Sequence, residues 1–408
     1  MKRRAISILV LSVAARFLWS LDANPLLLIY DVYVTRRSSS VSNGSIIVRT
    51  SGDDSGSVDD IIVSRRNFPP GSTPLDGKTI WITGASSGIG AEMALQLAYA
   101  GAGHLVLSGR RADRLESVAA SCREASAVRS RDAARGDSDD GVRGSATTKV
   151  SIVPFDMSAG PDVLDSAVSA AMDAAGPTGI DVLVLNAGRY QCSPALETSN
   201  LDDALPELMR INFESPVLLS QKVIRRDRWK ERRHGHVVAI SSLMGRGIAP
   251  LNGPYSATKH ALRGYFYALA AEERSWLRVD VVLPGATNTG LWEGSIAIVR
   301  NNDDGSSLPK PPALHADDRS KMSVHRCARL IISAMIGPSF LFSETWITRN
   351  PGLLWVYLAS YEPTSFHFIV TYVVAPLRVG MWRRHGEDAL YLPTLLGHMW
   401  EQILDYYS

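Results

Sequence analysis

The sequence is poor in cysteine. The three it has, Cys122, Cys192 and Cys327, are too few and too scattered for a disulfide framework, and no Cys/His spacing suits a metal, so none is expected. It also lacks an excess of either charge. Against 43 Lys and Arg stand 41 Asp and Glu, a formal net charge of +2, which gives no electrostatic footprint for nucleic acid. No uninterrupted apolar run reaches the roughly 20 residues of a clean membrane-spanning helix. The hydrophobic fraction is an ordinary 45%, enough for a sizeable core, and 408 residues allow one large domain with attachments or two domains.

Composition divides the chain. In residues 1–35, Lys2, Arg3 and Arg4 precede an apolar run from Ala5 to Ala15; Arg16 interrupts it, and shorter runs follow at Phe17–Leu21 and Leu26–Tyr30. Three readings stay open: a membrane anchor, spanning or interfacial with Arg16 snorkelling; a signal peptide cleaved after Val13-Ala14-Ala15; or a transit segment or soluble helix. Residues 36–75 are rich in Ser, Gly and Asp and read as a linker. Residues 76–320 form the expected catalytic domain, broken at 123–148 by a polar stretch that reads as a disordered surface insertion. Residues 321–408 start with a helical pattern at Ser323–Met335 and continue as a strongly aromatic extension. That extension reads as a lid over a substrate pocket, as an interfacial membrane contact, or as ordinary core.

Within the central domain, short apolar runs at Thr79–Thr83, His104–Ser108, Val150–Phe155, Asp181–Leu185, His236–Ile240 and Val279–Leu283 alternate with helix-length segments. Such alternation implies an α/β fold, a doubly wound parallel sheet with helices on both faces.

The chemistry concentrates at three places. Gly84, Ser86, Ser87, Gly88, Ile89 and Gly90 lie between the first strand and the first helix. Glycines there let the backbone approach a pyrophosphate, and the helix N-terminus offers it free N–H groups. The second strand ends in Ser108-Gly109-Arg110-Arg111, with no carboxylate to hold a ribose 2′-hydroxyl. Arg110 and Arg111 are suited instead to a 2′-phosphate, which favours NADP(H) over NAD(H). Tyr255 and Lys259 stand four apart, on one face of a helix, where the ammonium is expected to lower the phenol's pKa and fit it for acid/base work. Ser242, thirteen residues earlier at a strand end, could hydrogen-bond a developing oxyanion.

The glycine-rich turn, Asn186-Ala187-Gly188, Ser242, Tyr255-x-x-x-Lys259 and Pro284-Gly285 occur in an order and spacing that resembles the short-chain dehydrogenases/reductases, over about residues 76–291. The resemblance implies a Rossmann-like sheet, an NADP(H) cofactor and a role for each matching residue. Ser242, Tyr255 and Lys259 match the catalytic Ser, Tyr and Lys, and Asn212 the helix Asn whose backbone positions a water in the proton relay. Asp156 matches the residue that meets the adenine, Asn186 and Gly188 the turn beside the cofactor, and Pro284, Gly285 and Thr289 the loop closing on the nicotinamide. Leu185 departs from the usual pattern, where a second Asn precedes the Asn-Ala-Gly.

The segment Ser256–Phe266 and the tail from Ser323 through Trp346-Ile347 resemble a membrane-associated branch of that family. It resides in the endoplasmic reticulum and reduces steroids, retinoids and other lipophilic carbonyls. The implied partners are a lipophilic small molecule, a membrane surface and, as is common in the family, a second copy of the chain. A non-enzymatic NADP-binding membrane-associated scaffold is the alternative, and the complete Asn/Ser/Tyr/Lys set argues against it.

Overall fold

The computed structural model describes residues 23, 27–32, 45–49, 60–64, 74–134, 147–195, 201–289, 291, 321–338, 344–348 and 352–385. Seven parallel strands make the central sheet: β1 (Thr79–Thr83), β2 (His104–Ser108), β3 (Lys149–Ile152), β4 (Val182–Leu185), β5 (Gly235–Ile240), β6 (Leu277–Pro284) and β7 (Glu344–Ile347), in the order β3-β2-β1-β4-β5-β6-β7. In-register pairing runs from Thr79 opposite His104 to Thr83 opposite Ser108, and Ile80 faces Val182 on the other side.

Strand periodicity explains the two layers of helix. Ile80, Ile82, Leu105, Leu107, Val184, Val238 and Val282 point to one face and meet α1 (Gly88–Ala100), α2 (Ala112–Ala134) and α7 (Val324–Ile336). Their alternates Trp81, Val106, Leu183, Leu185, Val237, Val281 and Leu283 point to the other and meet α3 (Pro161–Ala175), α5 (Ser215–Arg226) and α6 (Gly253–Glu272). With both faces covered, the strands are mostly apolar along their length, and the charged residues within β6, Arg278 and Asp280, pair with each other at 2.8 Å. Between α3 and α5 lie β4, the nine-residue α4 (Leu201–Met209) and a π-helical turn, Arg210–Glu214. The chain winds away from β1 in both directions, so a crevice opens at the strand C-termini between β1 and β4, where such sheets bind ligands.

Several expectations need correction. Residues 123–134, read as the start of a disordered insertion, continue α2. Cys122, Ala125, Ser126 and Arg129 form a buried stripe at helical spacing; Arg129 pairs with Asp76 at 2.8 Å and the Ser126 hydroxyl accepts from Thr148 N at 2.7 Å. The polar composition belongs to the helix's outer side, and residues 135–146 lie outside the described residues. The boundary at 320 falls inside the domain, because α7 covers the sheet and β7 extends it. The stretch read as a linker holds an antiparallel ladder, Ser45–Arg49 against Asp60–Ser64.

The anchor or signal reading of residues 1–35 lies mostly outside the described residues, but 27–32 form a short helix seated on the core. Ala23 and Leu27 are fully buried there, and the Tyr30 hydroxyl donates to Ile336 O at 3.3 Å. The buried Asp31 carboxylate accepts from Arg326 Nη1 at 2.9 Å, from Arg329 at 3.2 Å and from the Ser333 hydroxyl at 2.9 Å, all on α7. Asp31→Ala strips three donors of their acceptor and should lower the unfolding free energy by about 2 kcal/mol, somewhat below the usual cost of breaking a buried pair because both guanidinium groups keep some solvent. A urea midpoint equal to that of the parent chain would show that this docking contributes nothing.

Candidate active site

The glycine-rich turn is held from below by Thr83, the last residue of β1. Its buried hydroxyl donates to Val184 O at 3.2 Å and accepts from the backbone N–H groups of Asn186 and Ala187 at 3.0 and 3.2 Å. The Asn186 amide donates to Thr83 O and Gly84 O at 3.1 and 3.2 Å, so the turns after β1 and β4 are stitched together. Two glycines are sterically required. Gly84 has φ +67° and a Cβ there would lie 2.8 Å from Ala187 Cα, while a Cβ at Gly90 would lie 2.4 Å from Gly84 O. This close packing turns the N-terminus of α1 into the cleft, with Ser86, Ser87, Gly88 and Ile89 along its wall.

Tyr255 lies in the first turn of α6 and Lys259 one turn later. Three bonds fix this helix. The Ser241 hydroxyl donates to Lys259 O at 3.0 Å, the Lys259 ammonium donates to Ile240 O at 3.0 Å, and the Thr258 hydroxyl accepts from Asn212 Nδ2 at 3.0 Å. Asn212, fully buried in the π turn, also exchanges two bonds with the backbone of Arg189, accepting from its N–H at 2.8 Å and donating to its carbonyl at 2.9 Å. Gly188 has both Asn212 Oδ1 and Lys259 Nζ within 3.4 Å of where its Cβ would be. Ser242, Tyr255 and Lys259 are thus gathered at one end of the cleft with Asn212 behind them, and Ser242 is near enough to the Tyr255 phenol to favour its ionised form.

The electrostatics differ from the expectation that Lys259 lowers the Tyr255 pKa. Burial dominates both groups. It pushes Tyr255 up to about 12, opposed by the Ser242 hydrogen bond, and pushes Lys259 down to about 8. Lys259 lies 5.9 Å from the phenol ring centroid and its ammonium is directed to a backbone carbonyl, so it does not offset the desolvation of the phenol.

The cleft, about 730 Å³, brings most of the expected residues together: Gly84, Ser86, Ser87, Gly88, Ile89, Arg110, Arg111, Asp156, Asn186, Gly188, Ser242, Tyr255, Lys259, Pro284, Gly285 and Thr289 line it, whereas Gly90 and Asn212 do not. Asp156 Oδ1 accepts from the N–H and the hydroxyl of Ser158, each at 2.8 Å. Gly285 N donates to Ile347 O at 2.8 Å, and Thr289 passes over Gly88, whose Cβ would meet its side chain at 3.3 Å. The groups present fit a nicotinamide dinucleotide: a tight glycine turn at a helix N-terminus for the pyrophosphate, cations beyond β2 and the Tyr/Lys pair at the far end.

A family model described as short chain dehydrogenase matches residues 78–141 and 142–297. The chain belongs to that family. Family membership makes it a dehydrogenase/reductase. Among its relatives, Dehydrogenase/reductase SDR family member 7 of Mus musculus is 34% identical over 292 residues, 71% of this chain and 76% of that protein. The Homo sapiens protein of the same name is 32% identical over the same shares. The fold is that of a short-chain dehydrogenase from Sphingobium yanoikuyae solved with NADPH, at TM-score 0.50 and 24% identity, covering 72% of this chain and 97% of that one. It is also that of an alcohol dehydrogenase from Thermococcus sibiricus solved with 5-hydroxy-NADP, at TM-score 0.50 and 22% identity, covering 67% and 97%.

Several lining residues went unread in the sequence. Arg114 follows Arg110 and Arg111 by one helical turn, a spacing that could have flagged it. Tyr190 sits two residues past the Asn-Ala-Gly turn; its ring meets that of Tyr255 edge-on at 4.9 Å, and its hydroxyl accepts from Asn252 Nδ2 at 2.6 Å. Arg378 comes from α10 (Ala375–His385), far along the chain, with no motif to mark it. Gly90→Ala should force the turn open and weaken binding of a nicotinamide dinucleotide by about tenfold or more, at a stability cost of about 1–3 kcal/mol. Fluorescence of the bound reduced nicotinamide reads the affinity, and parental affinity would contradict the packing described for this turn.

Proposed function

We propose that the chain interconverts a lipophilic ketone or aldehyde and its alcohol with NADP(H), Tyr255 serving as the acid/base. The observation that carries this reading is the convergence of Ser242, Tyr255 and Lys259 at the end of the cleft opposite Arg110 and Arg111, with Asn212 tied to the same helix through Thr258. The cofactor, when bound, supplies or accepts the hydride. Arg110 and Arg111, in the stretch Ser108-Gly109-Arg110-Arg111 that ends β2 without a carboxylate, suit a 2′-phosphate. Ser242 orients the carbonyl oxygen and Tyr255 donates its phenolic proton to that oxygen as charge develops. Lys259 holds the nicotinamide ribose, and the backbone of Asn212 positions the water that restores the proton.

A phenol raised to about 12 is protonated across the neutral range, the state that carbonyl reduction needs. The sign reverses for alcohol oxidation, which needs the phenolate. Its rate should climb about tenfold per unit from about pH 5 to about pH 7, above which Lys259 begins to lose its charge, while reduction stays level. The test offers NADPH and NADH in parallel to the detergent-solubilised protein with steroid, retinal and quinone carbonyls. Turnover with NADPH that vanishes in Tyr255→Phe while cofactor binding survives supports the reading, as does the pH asymmetry. Full activity in Tyr255→Phe, or an oxidation rate flat with pH, contradicts it.

The extension α8 (Gly352–Tyr361), α9 (Pro363–Ile369) and α10 supports a membrane-surface location, which we assign to the endoplasmic reticulum on the resemblance to the member 7 branch. Among the described residues no helix is long and apolar enough to cross a membrane. Leu354, Tyr361, Phe368 and Tyr372 nevertheless stand at least half exposed on these helices and on the π turn Val370–Val374, a composition suited to the headgroup region. The full chain should float with phospholipid vesicles, and Phe368→Ser/Tyr372→Ser should release part of it. Flotation unchanged by the double substitution counts against the extension as the contact.

A further inference from the structure

The cleft is cationic for most of its length. Among the described residues lining it, Asp156 is the only carboxylate, and it lies at the end remote from Tyr255. The cations near Tyr255 differ in how they are used. Arg189 is paired with Glu207, and Lys259 donates to Ile240 O. Arg378 makes no hydrogen bond or ion pair among the described residues, although it lines the same cleft and is only half-buried.

The position of Arg378 is set by packing. Its neighbour Val379 lies against the cluster of Tyr190, Cys192, Leu251 and Tyr255, and the guanidinium acts electrostatically on the Tyr190 phenol. Tyr190 in turn meets Tyr255 edge-on at 4.9 Å. The order from α10 inward is therefore Arg378, Tyr190, Tyr255. The surrounding wall is mostly apolar, from Met244, Ala249 and Leu291. A guanidinium is a rigid fork matched to the two oxygens of a carboxylate, and in a partly desolvated cleft that pairing is selective.

We propose that Arg378 binds a carboxylate carried by the substrate, so that the substrate class is an amphipathic oxo acid: an apolar body with the reacting carbonyl toward Tyr255 and the anion toward α10. This rests on the oxidoreductase reading above and narrows it. Arg378 is here a specificity residue, one that touches substrate away from the reacting atoms, and its loss should raise KM for the acid while leaving kcat largely intact.

The probes are para-benzoylbenzoate and its methyl ester, which share one diaryl ketone and differ in the negative charge and one methyl group. Calorimetric titration of the full chain saturated with NADP+ measures binding without turnover. The acid should bind the parent chain about tenfold more tightly than the ester. Arg378→Gln should bring the acid down to the level of the ester, and Arg378→Lys should restore part of the difference. Equal binding of acid and ester by the parent chain, no binding of either, or a preference for the acid that survives in Arg378→Gln would each overturn the proposal. So would an equal loss of NADP+ and of both probes, which would assign Arg378 to the cofactor. A separate assay of NADPH oxidation with the acid distinguishes the two readings. Binding that discriminates without any reduction upholds the anion site and overturns the reductase.

Discussion

Where α6 sits relative to the end of β5 decides whether this cleft can do proton chemistry, and that placement depends on polar side chains rather than on the apolar core. Tyr255 and Ser242 come from different elements, and they meet only if the first turn of α6 is held close to the strand end. Ser241 ties α6 to β5 through Lys259 O, and Asn212 ties it through Thr258 to the loop after β4. Apolar burial is tolerant of small slides, because many arrangements remove similar area from water. A buried amide that must satisfy Arg189 and Thr258 together is not, since each lost partner leaves a desolvated polar group. The π turn that carries Asn212 serves this purpose: its wider winding seats the amide in the gap between two elements.

The same burial explains why Tyr255 departs from the simple picture of a lysine activating a phenol. Desolvation raises the cost of charge for both groups, so both are displaced toward their neutral forms. The Ser242 hydroxyl is what opposes this for Tyr255. A serine that looks in sequence like a carbonyl-orienting group thus also bears on the charge state of Tyr255.

The sheet was legible in the sequence because its strands are buried on both faces and stand out as short apolar runs between helices. Runs such as Thr79–Thr83 and His104–Ser108 match the strands residue for residue. The glycine turn and the Tyr/Lys pair were legible because spacing alone fixes their geometry. Elements whose evidence is tertiary were lost. The second half of α2 is polar on average, and its buried stripe includes Arg129, which composition assigns to solvent. β7 is four residues, Glu344–Ile347, and begins with a carboxylate that Arg263 Nε satisfies at 2.7 Å, so it looks like no strand until β6 is beside it. The core contact of residues 27–32 was not legible because an apolar run such as Leu26–Tyr30 carries the same signal whether it faces lipid or a core.

Among the described residues, 27–32 on the N-terminal side and α7 and β7 on the C-terminal side are docked on the domain. Asp31 clamps residues 27–32 to α7, and α7 with β7 completes the sheet. From that edge the extension returns across the loop that follows Ser242. Trp355 donates to Ile248 O at 3.1 Å, Arg246 Nε donates to the Ser360 hydroxyl at 2.8 Å, and Trp346 meets Tyr357 edge-on at 5.1 Å. The aromatic residues that look alike in sequence therefore divide by role. Trp346, Trp355 and Phe366 pack inward to set the position of the extension, while Tyr361, Phe368 and Tyr372 are left on its outer side. Fixing α8 in this way is what delivers α10, and with it Arg378, to the mouth of a cleft whose Ser242, Tyr255 and Lys259 lie more than a hundred positions earlier in the chain. The shape of the substrate end is set by this extension, while the family motifs set the chemistry, which is why the motifs can be read from sequence and the substrate cannot.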